Sequence, residues 1–172
     1  NAQKKRKDNA VKRPGSWWFS SIGNWSDPEI CLSTGNRIPY TVGASPRLPR
    51  IDGKSAKFPD VFDPGFRESV KTALNNLDVR IKNDPYCIGF FVDNELGVKG
   101  LTLQLIKQPA KSISKQAFIT YLKTKYASVK KLNESWETSY SGWRQIENIS
   151  VLTDTVNEDT EFFDLKILDI YY

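Results

Sequence analysis

Tyr86-Cys87-Ile88-Gly89-Phe90-Phe91-Val92-Asp93-Asn94-Glu95-Leu96-Gly97 is the stretch on which the reading of this chain turns. Residues 86–92 form one continuous apolar run, bounded by Asn83-Asp84-Pro85 before it and by Asp93, Asn94 and Glu95 after it. That length, with those flanks, predicts a strand buried on both faces, as parallel sheets require. Just upstream, Asp63-Pro64 is a good helix start, because Asp can cap free N–H groups and Pro tolerates the first helical position. Phe66, Val70, Ala73, Leu74, Leu77 and Ile81 then recur at helical spacing until Asn83-Asp84-Pro85. Helix followed by buried strand is a β/α unit.

Further out, Ser16-Trp17-Trp18-Phe19-Ser20-Ser21-Ile22 is aromatic and β-prone and predicts another strand, followed by the polar loop Asn24-Trp25-Ser26-Asp27-Pro28. A short strand is expected at Ile38–Val42 and a long loop from Gly43 to Asp63, which contains Pro46, Pro49 and Pro59; loops of that length are usually functional. Beyond Gly100 the pattern is helical: Leu101–Lys107, Ser114–Tyr126, a short helix capped by Ser128 and running through Trp136, and Glu158–Tyr172. No strand-like run follows Val92. A sheet of about three strands with this much helix looks unfinished, and 172 residues fall short of the roughly 250 of a complete eight-fold β/α barrel. The chain has no Met and opens on Asn1, which is expected of a processed chain or an internal fragment.

The net charge of +5 is a local property. Residues 1–14 contain Lys4, Lys5, Arg6, Lys7, Lys12 and Arg13 against the single acid Asp8; outside them, basic and acidic residues balance at 19 each. Residues 1–15 therefore read as a solvated, disordered basic tail ahead of one neutral body at 16–172, and no nucleic-acid partner is expected. The chain contains no His, which removes Ser-His and Cys-His nucleophiles and His-ligated metals. Cys31 and Cys87 form no CxxC; Cys87, inside the apolar run, reads as a small buried hydrophobe. Neither a membrane span nor a signal-peptide core is visible.

Two acids and an amide at the carboxyl end of a parallel strand lie where β/α folds place their ligands. With Phe90, Phe91 and Val92 behind it, the Glu95 carboxyl is expected to be partly desolvated and so to hold its proton, as a general acid for a departing glycosidic oxygen must. Asn94 offers a donor and an acceptor for a sugar hydroxyl. Spacing alone leaves an equal alternative: Asp93 and Asn94 cap the next helical turn, and Glu95 is a first-turn acid.

Three segments carry a resemblance. Ser21-Ile22-Gly23-Asn24-Trp25-Ser26-Asp27-Pro28, Phe58-Pro59-Asp60-Val61-Phe62-Asp63-Pro64 and Ile88 through Gly97, in that order, resemble β-agarases of glycoside hydrolase family 50, relatives of the family 42 β-galactosidases. Residues 121–136 are similar to the helical insert that follows the acid/base strand in such enzymes. The resemblance implies a partial (β/α)8 barrel, about strands 2–4, from a retaining enzyme cleaving β-1,4 galactosidic bonds in agarose-like polysaccharide. It implies Glu95 as general acid/base and Asn94 as the contact to a sugar hydroxyl, with Asn24, Trp25, Asp27 and Asp93 lining the substrate site. It implies no metal, no cofactor, a galactan partner and a secreted or periplasmic location. Trp25 suits stacking on a sugar ring, but equally a loop-anchoring role, and Asp27 before Pro28 suits a turn. The resemblance places the nucleophile on the seventh strand, and Glu134, Glu137, Glu147, Glu158 and Glu161 all fall in helical or polar stretches, so no nucleophile is expected in this chain. The alternative is a non-catalytic carbohydrate-binding or structural α/β module.

Overall fold

A computed structural model describes residues 2–33, 37–51, 57–153 and 156–172. The chain divides into two compact units, residues 1–47 with 68–94 and residues 48–67 with 95–172.

The first unit is built on a two-stranded parallel sheet, β1 (Tyr40–Ala44) and β2 (Cys87–Val92), with Tyr40 opposite Cys87 and Ala44 opposite Val92. Between the strands run α3 (Phe66–Asn75) and α4 (Val79–Lys82). The single helix expected over 64–81 is broken in two because the Asp78 side chain accepts the Arg80 N–H at 2.8 Å and starts a new turn. Cys31, Tyr40 and Ile81 are buried together, with Ile22, Leu32, Val42 and Cys87 packed against them. Both cysteines are free thiols.

Three expectations are corrected in this unit. The basic segment expected to be a disordered tail is helix α1 (Ala2–Ser16), consistent with its Ala, Gln, Lys and Arg content, all good helix formers. The strand expected at 16–22 does not form; the only pairing described there is an isolated parallel bridge from Ile22 to Tyr40. Finally, β2 is not buried on both faces: Ile88, Phe90, Phe91 and Val92 are 61%, 44%, 52% and 40% exposed. An apolar strand is buried only where a layer covers each face, and this unit gives β2 one neighbouring strand and little cover.

The second unit is helical. Arg50 and Pro59 form an antiparallel bridge within the expected long loop, whose residues 52–56 lie outside those described. The helices follow: α5 (Leu101–Leu105), α6 (Ile113–Tyr126), α7 (Val129–Trp136), α8 (Trp143–Glu147) and α9 (Asn157–Tyr171). Ser128 caps α7 as expected, accepting the Lys131 N–H at 3.3 Å. Leu105, Phe118, Leu122, Trp136, Phe163 and Ile167 form the core, with the Phe163 ring 5.0 Å from Phe118 and 5.7 Å from Phe62.

Polar side chains tie these helices together. Asp159 is buried and accepts from Tyr121 Oη (2.9 Å), Lys125 Nζ (2.7 Å), Tyr126 Oη (2.6 Å) and Trp136 Nε1 (2.7 Å). Burial alone would push this carboxyl up, but the Lys125 ammonium and the three neutral donors outweigh it and hold it below the usual carboxylate range. Asp164 on α9 accepts the N–H groups of Gly100, Leu101 and Thr102 and the Thr102 hydroxyl, closing the start of α5 from another helix.

Candidate active site

Four of the expected site residues belong to the first unit's sheet end where β1 and β2 finish. Asp93 follows β2 directly, its N–H donating to Ala44 O at 3.3 Å. It is buried rather than open at the mouth of the sheet, and Asn94 beside it is exposed. Asn24 lies against β1: its Oδ1 is 2.8 Å from where a Cβ on Gly43 would stand, so only glycine leaves it room. The same oxygen accepts the Trp25 N–H at 3.0 Å. Trp25 is 76% exposed, so its ring is free to meet a ligand and does not anchor the loop in the core. Asp27 is differently occupied. Its Oδ1 accepts the Glu29 N–H at 3.0 Å and caps the short helix α2 (Pro28–Cys31), which is the turn role its place before Pro28 suggested.

Glu95 belongs to the second unit. Its side chain is 76% exposed, and Oε2 lies 3.2 Å from Lys57 Nζ. The partial desolvation expected from the apolar run before it is not seen, because the side chain stands in solvent beside the Lys57 ammonium. Lys57 was not legible as a site residue: it lies 38 positions away in a proline-rich loop.

Backbone geometry singles out the same positions. Six non-glycine residues have positive φ among those described. Ala127 and Glu137 cap the ends of α6 and α7, and Trp18 follows the end of α1. The other three are Trp25 (72°), Asp93 (62°) and Glu95 (51°), none at a helix end. Each costs on the order of 1 kcal/mol, and such strain collects where a side chain must be aimed. The later glutamates are placed otherwise: Glu134, Glu147, Glu158 and Glu161 lie on helices and Glu137 caps one, so among the described residues none of them follows a strand.

Residues 53–163 match the glycoside hydrolase 42 family, described as β-galactosidase. The chain belongs to this family. The chain is also similar to β-agarase B of Vibrio sp. (strain JT0107), 31% identical over 166 residues, which covers 85% of this chain and 17% of that protein. β-Agarase A of the same organism is 30% identical over 163 residues, covering 80% and 16%. Among solved structures, an exo-β-agarase matches with a TM-score of 0.81 at 27% identity over 98% of this chain and 25% of its own. The agarase AgWH50C matches with 0.81 at 28% identity, over 98% and 26%. The family membership and these relatives bear out the resemblance to a partial β-agarase. The chain spans about a sixth of the curated relatives' length and a quarter of the solved structures'.

Proposed function

We propose that this chain is the acid/base-bearing part of a retaining glycoside hydrolase that cleaves β-1,4 galactosidic bonds in agarose-like polysaccharide, built on strands 2–4 of a (β/α)8 barrel. The observation that carries the reading is the placement of Asp93-Asn94-Glu95 immediately after a parallel strand, with Asp93 and Glu95 held at positive φ, in a chain of a glycoside hydrolase family. Glu95 acts as general acid on the leaving oxygen and then as general base on water. Asn94 holds a sugar hydroxyl, and Trp25, on its strained and exposed loop, stacks on a ring with Asn24 fixing its backbone. Asp93 contributes by setting the turn. The nucleophile, which a retaining enzyme holds roughly 5–5.5 Å from the acid/base, comes from outside residues 1–172. The dry surroundings the acid needs come from bound sugar and from walls likewise outside this chain.

The test is Glu95→Gln in the full-length enzyme. Hydrolysis of agarose is expected to fall by a factor of about 10²–10⁴ while binding is retained; an unchanged rate rejects the assignment. The 172-residue chain alone is expected to release no reducing sugar from agarose. A second reading, a non-catalytic carbohydrate-binding or structural module, is favoured by one observation: Glu95 is open to solvent and paired with Lys57. It predicts the unchanged rate.

A further inference from the structure

The chain's whole excess of positive charge lies in residues 1–14, and the structure turns that segment into helix α1, which leads directly into exposed aromatic rings. Lys5, Arg6, Lys12 and Arg13 are exposed along it. Trp17, Trp18 and Phe19 follow at 61%, 95% and 59% exposure. The Arg13 guanidinium lies 5.9 Å from the Trp17 ring centre, and Trp17 meets Phe19 edge-on at 6.4 Å. Phe19 in turn walls a cleft of about 430 Å³ shared with Gly15, Ser20, Arg37, Pro39 and Tyr86. Arg37 is fixed there: its guanidinium stacks 4.5 Å over Tyr86 and donates to Asp84, which also accepts from Tyr40 Oη at 2.9 Å and the Tyr86 N–H at 3.0 Å. A guanidinium carries five N–H donors, more than Asp84 can take. Pro39 and Tyr86 precede β1 and β2, so the cleft lies at the end of the sheet opposite to Asp93 and Asn94.

We propose that this ribbon, from α1 through Trp17 and Phe19 to Arg37 and Tyr86, is a second carbohydrate-binding surface, for a galactan chain carrying sulfate groups. It rests on the reading of the chain as part of a galactan hydrolase. Aromatic faces take the C–H side of a pyranose ring, and guanidinium and ammonium groups take the sulfates. The alternation of the two along one path matches a polymer that presents rings and anions in turn. A helix of 15 residues extends the path by roughly 22 Å. A lipid surface fits less well, because Ala2, Ala10, Val11 and Pro14 are the only apolar side chains in α1 besides its glycine, too few for a buried face. The surface keeps an anionic polymer bound without drawing on the acid/base rim.

The experiment is titration of the 172-residue chain with a sulfated galactan of defined length, the same galactan after desulfation, duplex DNA and anionic phosphatidylserine vesicles, followed by calorimetry. Binding to the sulfated form at least tenfold tighter than to the desulfated form is expected, weakening as salt rises. Trp17→Ala with Phe19→Ala, and separately Arg37→Gln, are expected to weaken it tenfold or more with the circular dichroism spectrum unchanged. Equal affinity for both galactans, no binding to either, tighter binding to DNA or vesicles, or indifference to the aromatic substitutions each overturns the proposal. So does self-association that the aromatic substitutions abolish, detected by sedimentation. Hydrolysis by full-length Glu95→Gln is measured alongside. Loss of the ribbon's binding with Glu95-dependent hydrolysis intact overturns the ribbon alone. Tight sulfated-galactan binding with Glu95-independent hydrolysis supports the ribbon and overturns only the catalytic reading.

Discussion

Glu95 is held at φ 51°, in the left-handed region where glycine alone is unstrained, and its carboxyl gains only an exposed pairing with Lys57. A residue kept in such a place for stability makes little sense; one kept there to aim a carboxyl does. Glu95→Gly is therefore expected to stabilise the fold by roughly 0.5–1 kcal/mol, read as a higher urea midpoint, and, under the proposed acid/base role, to lose hydrolysis in the full-length protein. A lowered midpoint would mean that the side chain is structural. Gly43 gives the complementary case. A Cβ there would meet Asn24 Oδ1 at 2.8 Å, and that oxygen can retreat only by releasing the Trp25 N–H. Gly43→Ala is expected to cost about 1 kcal/mol and to shift Trp25 fluorescence; an unchanged emission would show that Asn24 does not set the Trp25 loop.

At the scale of elements, α2, α4 and α7 are capped by the residue just before them, whereas α5 depends on a cap borrowed from far along the chain. The helix α5 has no side-chain cap of its own at Gly100, and Asp164 on α9 supplies it through three backbone N–H groups and the Thr102 hydroxyl. Asp164→Ala leaves those donors without the carboxylate and is expected to cost roughly 1–2 kcal/mol, measured by chemical denaturation and with faster amide exchange at Leu101 and Thr102. Exchange unchanged at those two amides would contradict the capping role. The sequence showed the start of α5 at Gly100 and the helical register of α9, since both are local spacings. It could not show the cap between them, because Asp164 and Thr102 are 62 residues apart and nothing in the intervening pattern pairs them. The broken α3–α4 helix is the local case: apolar spacing continued through Leu77 to Ile81, but the hydrogen bond from the Arg80 N–H to Asp78 won.

For the whole molecule, Asp159 in the second unit, like Asp84 in the first, contributes to the response to acid. Its carboxyl lies below the usual carboxylate range in the folded protein, so folding releases a proton that the unfolded chain would hold near its ordinary pKa. The stability it contributes is complete above that ordinary value and is lost as pH falls through it toward the depressed folded value. Asp60 acts in the opposite sense: burial raises its carboxyl, so its share of stability falls as pH rises through the ordinary range. Asp159 dominates, with four partners against the two of Asp60 (Phe62 N–H and Ser114 Oγ). Asp159→Asn is expected to flatten the loss of stability below about pH 4 and to lower stability at pH 7 by roughly 3 kcal/mol; equal acid sensitivity in wild type and variant would refute this.

The sequence by itself determined the helix-then-strand order before Asp93, the strand expected at 86–92, four of the helices after Gly100 (α8 was not among them) and the position of Asp93-Asn94-Glu95 after that strand. These follow from spacing, caps and breakers within a dozen residues of one another. Tertiary structure decided what each polar group touches and which apolar runs are covered. Asp27 turned to a cap, Asp159 into the core and Glu95 toward Lys57, while β2 stayed open. Burial and pairing belong to residues that meet only after folding, and a side chain's environment is the sum of neighbours its own segment does not contain.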